Sequence, residues 1–259
     1  MHSERQVNSV ARKKVIFVIV EGPSDDAALG VILNRLYDKS KVHIEIMHGD
    51  ITSDRSIDPN DIVSELGDVI KEYAASMHFQ QSHFQQVIHL VDMDGAYVPN
   101  SAIIENLDAE TPFYSLTEIQ TARTDQLILR NEHKRSKLNR ICKLKKVWGS
   151  IPYQAYYMSS NLDHVLYGKQ NSSDTDKEND AYQFALKYKD DIDGFLTFIS
   201  DSDFSKVDGY QASWEFIRKD LHSLERFTNL GICFEEIREE RRKQKENKNK
   251  LIALKDMYK

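Results

Sequence analysis

The stretch KKVIFVIVEGPSDDAALGVIL, Lys13 to Leu33, decides how the rest of the chain is read. From Val15 to Val20 every residue is β-branched or aromatic, with no polar alternation, which is the pattern of a strand covered on both faces. The run stops at Glu21, and Gly22-Pro23 breaks the chain before Ser24, Asp25 and Asp26. Ser24 is expected to cap a helix reaching about Tyr37, with Ala28, Val31, Ile32, Arg35 and Leu36 on one face. Asp25 and Asp26 then fall in its first turn, where negative charge suits the dipole by a few tenths of a kcal/mol to about 1 kcal/mol. That accounts for the two aspartates but not for Glu21, which precedes the cap. A carboxylate beside apolar surroundings is costly unless something compensates it. The candidates are a basic partner, a metal ion or water.

Outward from this stretch the same alternation continues. Val42–Met47 reads as a second strand, and DPNDIVSELGDVIKEYAASM as an amphipathic helix from near Pro59, burying Ile62, Leu66, Val69, Ile70 and Tyr73. Val87–Val91 is a third apolar strand, and it too ends in acid, as VDMDG with Asp92 and Asp94. Strand and helix in this order imply an α/β fold, a mainly parallel sheet flanked by helices. Beyond Gly95 the pattern loosens. A short strand is expected around Phe113–Leu116, a helix over Thr121–Val147, a fourth strand over Pro152–Ser159 and a short helix over Asn161–Tyr167. GKQNSSDTDKEND reads as a polar loop, followed from about Ala181 by helices alone and a charged, solvated tail. The expected division is an α/β domain over 1–170, with a helical insertion at about 100–150, and a helical C-terminal region over 171–259.

Composition narrows the classes. The net charge of −6 rules out a uniformly basic surface but not a local one that tracks phosphates. No apolar run is long enough to span a bilayer, and MHSERQVNSVARKK lacks the apolar stretch of a secretory signal. Cys142 and Cys233 are too few for a disulfide scaffold and lack metal-ligand spacing, so a reducing cytoplasm is expected.

In a parallel sheet the carboxyl ends of the strands share one edge, where ligands collect. Neighbouring first and third strands would set Glu21 beside Asp92, and Asp92 and Asp94 would share a face while the strand stays extended. Such a crowd of carboxylates suits a hard cation such as Mg²⁺. The two motifs, IVEG at Ile19–Gly22 and LVDMD at Leu90–Asp94, resemble those of the Toprim domain, the acidic phosphoryl-transfer module of topoisomerases, primases and several nucleases. EGPSD looks most like the Toprim nucleases of the OLD type, with Asp25 in the place of their later acid. The resemblance covers about the first 95 residues well and Tyr153–Ser159 weakly. It implies Glu21 as general acid/base or metal ligand, Asp92 and Asp94 as ligands of Mg²⁺ (with Mn²⁺ able to take its place), and Asp25 at a second metal position. It implies a metal-dependent nuclease cutting DNA or RNA. With no GxxxxGK[ST] loop in the chain, the resemblance points further to a free-standing effector of bacterial anti-phage defence that works with a separate ATPase. Whether it forms a homo-oligomer stays open. Ser159, Ser160 and Lys169 are the candidates for the later serine and lysine of the OLD pattern.

Two other readings compete. DxDG at a strand end also opens the haloacid-dehalogenase-like phosphatases, with Asp92 as nucleophile, but there the motif usually begins the domain and Glu21 has no role. A nucleic-acid or partner-binding module with an inactive acidic site is the other. RNEHKRSKLNRICKLKK, Arg130 to Lys146, carries eight Lys/Arg against one Glu, and Arg130, Lys134, Lys137 and Arg140 recur at helical spacing as a candidate nucleic-acid-binding face. The simpler account of such a run is a solvated helix. His89 reads as a packed strand histidine, and Asn161 as a helix cap with Asp163 in the turn after it.

Overall fold

The computed structural model describes residues 13–257; the N-terminal segment read for a signal lies almost entirely outside them. β1 (Lys14–Val20) is followed by α1 (Pro23–Leu36), β2 (Val42–His48), α2 (Ile62–Ser76) and β3 (Phe84–Asp92). The chain then forms β4 (Ile103–Glu105), β5 (Phe113–Tyr114), β6 (Ile119–Thr121), α3 (Thr124–Ile141), β7 (Lys146–Val147) and β8 (Ile151–Met158). Five helices complete it: α4 (Leu162–Tyr167), α5 (Asp174–Tyr188), α6 (Ile192–Asp201), α7 (Tyr210–Ile217) and α8 (Glu235–Met257). The main sheet runs β2-β1-β3-β8-β7, parallel throughout except for the edge strand β7. No described helix is long and apolar enough to cross a membrane.

The inner strands β1 and β3 are apolar on both faces over most of their length, as a parallel sheet covered by helices requires, while the edge strand β2 alternates with polar residues. Val15 to Val20 are all buried: Ile16, Val18 and Val20 pack against α1 and α5, and Val15, Phe17 and Ile19 against α2. Helices α5 and α6, beyond residue 170, contribute Phe184, Tyr188, Phe195 and Ile199 to the same core as β1 and α1. The expected line between two regions therefore crosses a shared interior. It is also stitched across: Ser159 N–H donates to Phe227 O (2.9 Å), Ser160 N–H to Ser223 O (2.9 Å), and Thr228 Oγ1 to Tyr157 O (2.7 Å).

Three local expectations change. The first helix is capped at Gly22, not Ser24, with Pro23 in the first turn where its missing N–H costs nothing. The insertion is not purely helical, since β4, β6 and β5 form a small second sheet before α3. The expected helix over Thr121–Val147 is cut to Thr124–Ile141, because Trp148 (φ 40°) and Gly149 (φ 76°) turn the chain left-handed and pair β7 back onto β8. Asn161 caps α4 as expected, its side chain accepting from His164 N–H at 2.8 Å, and His89 is buried with Nδ1 2.7 Å from the Tyr153 hydroxyl.

Candidate active site

The strand order reverses between β1 and β3: β1 leads out to β2 on one side, and the chain then crosses back to place β3 on the other. Crevices open at the carboxyl ends where this happens. Glu21 follows β1 there and Asp92 ends β3, and the Asp92 N–H donates to Glu21 Oε1 at 3.0 Å. Both line a cavity of about 350 Å³ together with Asp25, Asp50, Asp163 and Asp174, so six carboxyl groups face one lysine, Lys177.

Each acid reaches the cavity by a local cause. Asp25 sits in the first turn of α1 and caps it, accepting from the Gly22 N–H at 3.0 Å. Asp50 follows β2 through Gly49, and its Oδ1 accepts from Thr52 Oγ1 (3.1 Å) and the Ser53 N–H (2.9 Å). Asp163 rides on α4 behind the Asn161 cap, and Asp174 opens α5. Sequence reasoning missed Asp50, Asp174 and Lys177. For Asp50 a signal existed, because β2 ends in HGD much as β1 ends in EG and β3 in DMD. For Asp174 and Lys177 there was none, since their stretch reads as a polar loop until Ser173 caps the helix.

Asp94 does not share a face with Asp92. The strand ends at Asp92, and Asp94 and Gly95 turn left-handed (φ 46° and 67°), so period-two alternation stops there. The Asp94 carboxylate instead meets the Nζ of Lys134, which also lies 3.4 Å from Glu21 Oε1 and donates to Ser53 Oγ at 2.9 Å. The basic partner that Glu21 called for is therefore Lys134, whose side chain is fully buried.

This corrects the expected nucleic-acid face. Lys134 and Lys137 both point inward; Lys137 donates to the backbone carbonyls of Ile51 (3.3 Å) and Asp54. α3 lies against the loop after β2, and its lysines hold that loop instead of facing solvent. Arg140 is exposed and bonds Asn60 Oδ1. Arg130 is half-buried, donating to the Tyr114 hydroxyl (2.9 Å) and the Asp94 carbonyl (2.7 Å). The candidate serines are also inward: Ser159 Oγ accepts from the Phe227 N–H at 2.6 Å, and Ser160 Oγ is 3.2 Å from Gln170 Nε2. Lys169 pairs with Asp180 at 2.5 Å on the surface.

The electrostatics follow from one ammonium serving a crowd. Burial pushes the Glu21 carboxyl up to about 8; Lys134 opposes the shift, and Asp94 and Asp50 add to it. Burial raises Asp92 well above the ordinary range, with Glu21, Asp25 and Asp94 adding to it. Asp25 rises to about 6 through burial, against the bond from Gly22. Burial works to raise Asp94 as well, but Lys134 and Arg130 hold it below its usual value.

These groups are hard oxygen donors, the kind that Mg²⁺ and Mn²⁺ take. Among the described residues, no three His, Cys, Asp or Glu side chains are drawn together around one point as they stand. The donor chemistry nevertheless fits: Asp92, Asp25 and Glu21 line the cavity with their carboxyls pushed toward the neutral form, the condition a divalent charge relieves. Asp94, taken by Lys134, is the weakest member of the expected ligand set. No family model, no curated protein and no solved structure matches the chain.

Proposed function

We propose that the protein is a metal-dependent nuclease hydrolysing phosphodiester bonds of DNA or RNA. The observation that carries this reading is the meeting of Glu21 and Asp92 in one acid-lined cavity at the strand reversal, where the Toprim resemblance would have them. Asp92 and Asp25 would hold Mg²⁺ or Mn²⁺, with Glu21 within reach. The bound ion would neutralise phosphate charge and activate water.

The chain's own residues supply the rest. Ser24, in the first turn of α1, lines the cavity, so its N–H would be near a phosphate held there, whereas Pro23 has no N–H and that of Asp25 is bonded to Gly22 O at 3.2 Å. Burial favours the protonated form of the Glu21 carboxyl, so Glu21 would be the group that moves a proton. The water oxygen would bond to phosphorus and release its proton to solvent. The bond to the leaving sugar oxygen would break, and Glu21, entering protonated, would give its proton to that oxygen. Lys134 fixes Glu21 and Asp94 in place from behind the cavity. The ATPase of the OLD enzymes would be a separate chain, and a role in anti-phage defence follows from the same resemblance.

The test is cleavage of labelled DNA and RNA by purified protein in Mg²⁺, Mn²⁺ or chelator. Cleavage should require the ion and fall by roughly 100-fold or more in Asp92→Asn, the scale of losing a charge-stabilising group. Retardation of nucleic acid without cleavage would favour the binding-module reading. Hydrolysis of a chromogenic phosphomonoester that survives Glu21→Gln would favour the phosphatase.

A further inference from the structure

A polyanion cannot settle over six carboxyl groups by their own attraction. Even with an ion bound, the cavity at the sheet edge offers a nucleic-acid strand one lysine, Lys177, among its lining side chains. If a strand is cut there, it needs a cationic hold outside the acid cavity, and α3 leads to one. A second cavity, of about 470 Å³, opens between the small sheet and the first turns of α3. It is lined by Arg55, Arg123 and Arg130 against a single acid, Glu110. This is the reverse of the charge balance next door.

The two cavities are linked by a relay of contacts, from Arg130 to Asp94, from Asp94 to Lys134 and from Lys134 to Glu21. Arg130 lines the arginine cleft and donates from Nη2 to the Asp94 carbonyl at 2.7 Å, while one helical turn on, Lys134 meets the Asp94 carboxylate. Arg55 reaches the cleft from the loop that Lys134 and Lys137 tie down, and anchors itself by donating from Nη2 to Gln126 O at 3.0 Å. Its remaining donors, and those of the exposed Arg123, are available to an anion. Planar guanidinium forks match phosphate oxygens two at a time, which a lysine cannot do. An exposed apolar side chain stands beside these donors: Leu107, 77% exposed, lines the same cleft.

We propose that this arginine cleft holds the phosphate backbone of a nucleic-acid strand, anchoring it beside the acid cavity. The occupant rests on the nuclease reading; the cleft itself does not. Arg130 belongs to the cleft and is engaged with the Asp94 carbonyl, while Arg55 and Arg123 carry the donors left for the strand.

The experiment measures binding in chelator, so that no cutting occurs and the acid cavity's chemistry is not read. Fluorescence anisotropy of a labelled single-stranded oligonucleotide is followed against salt for the full chain and for Arg55→Ala/Arg123→Ala. Losing two phosphate contacts should flatten the plot of log K against log salt by about 1.4, at about 0.7 per contact on a single strand. Affinity at low salt should fall by about tenfold or more. Arg55→Lys/Arg123→Lys should keep most of the slope. Equal slope and affinity in the alanine variant, or no binding by the wild type, overturns the proposal. Matched thermal midpoints show that the alanine variant is folded; if they differ, Arg123→Ala alone, at an exposed side chain, should lower the slope by about 0.7. Binding with this slope but no cleavage in Mg²⁺ or Mn²⁺ would sink the nuclease reading and leave the cleft standing.

Discussion

The two sides of Lys134 show what a single buried charge can and cannot do. On one side, Asp94 receives the ammonium directly and is held in its charged form. On the other, Glu21, Asp25 and Asp92 line the cavity, and burial drives all three toward the neutral form. The same edge of the same sheet thus contains a satisfied pair and an under-neutralised group a few ångströms apart. The first is structure. The second is a group of carboxyls short of counter-charge, and the reading proposed above assigns a divalent ion to it.

The contrast can be broken most sharply at Lys134. Lys134→Met leaves the partly buried Asp94 without its closest counter-charge, and should cost about 3 kcal/mol in urea unfolding, the lower end for a broken buried pair. Lys137→Met removes an ammonium that bonds only carbonyls, and should cost less, about 1–3 kcal/mol. Equal costs for the two lysines would mean that Lys134 is not the counter-charge described.

The cavity side is sharpened by pH. A group whose folded pKa lies above its unfolded value binds a proton more tightly in the folded state. Its contribution to stability is complete below the unfolded value and is lost as pH rises through the folded one. For Glu21 this window runs from 4.5 to about 8, and for Asp25 from 3.8 to about 6. In chelator the melting temperature should therefore decline from pH 5 to pH 8, and Glu21→Gln should flatten that decline. Asp94 has the opposite sign, so its contribution is present above its unfolded pKa and is lost on acidification below it. Added Mg²⁺ should restore the melting temperature at pH 8 in wild type and much less in Asp92→Asn. The smallest effect belongs to Asp26, an exposed first-turn residue whose partner is His48 at 3.4 Å. Asp26→Asn should change stability by under about 1 kcal/mol and leave the response to Mg²⁺ intact.

How much of this was legible depended on what each residue had to signal. The runs Val15–Val20 and Val87–Val91 announced buried parallel strands, and their acidic ends placed Glu21 and Asp92 on one edge. β5 falls within the short strand expected around Phe113–Leu116, but β4, β6 and β7 were missed because strands of two or three residues carry too little periodicity to register. Lys134 and Lys137 were misread for a physical reason. A lysine in a charged run is normally solvated, and only partners distant in sequence, Asp94, Ser53, Ile51 and Asp54, make burial tolerable. Ser24 lost the cap to Gly22 because Pro23 is better suited to the first helical position than to the one before the cap. The acid cavity was half visible: the strand ends spoke, while Asp163 and Asp174 arrive from helices packed over the edge.

The seam between β8 and the segment Ser223–Asn229 has a practical meaning. Asn229 Oδ1 accepts from the Tyr157 N–H at 2.8 Å, Ser159 bonds Phe227 at both its N–H and its hydroxyl, and Asp94 N–H donates at 2.7 Å to the carbonyl of Ser160. A chain shortened at residue 170 would strip the outer rung from the strand beside Asp92 and open the interior under α1. A piece meant to keep that edge intact therefore has to include the segment through Phe234, which packs in the same core as β1 and α1.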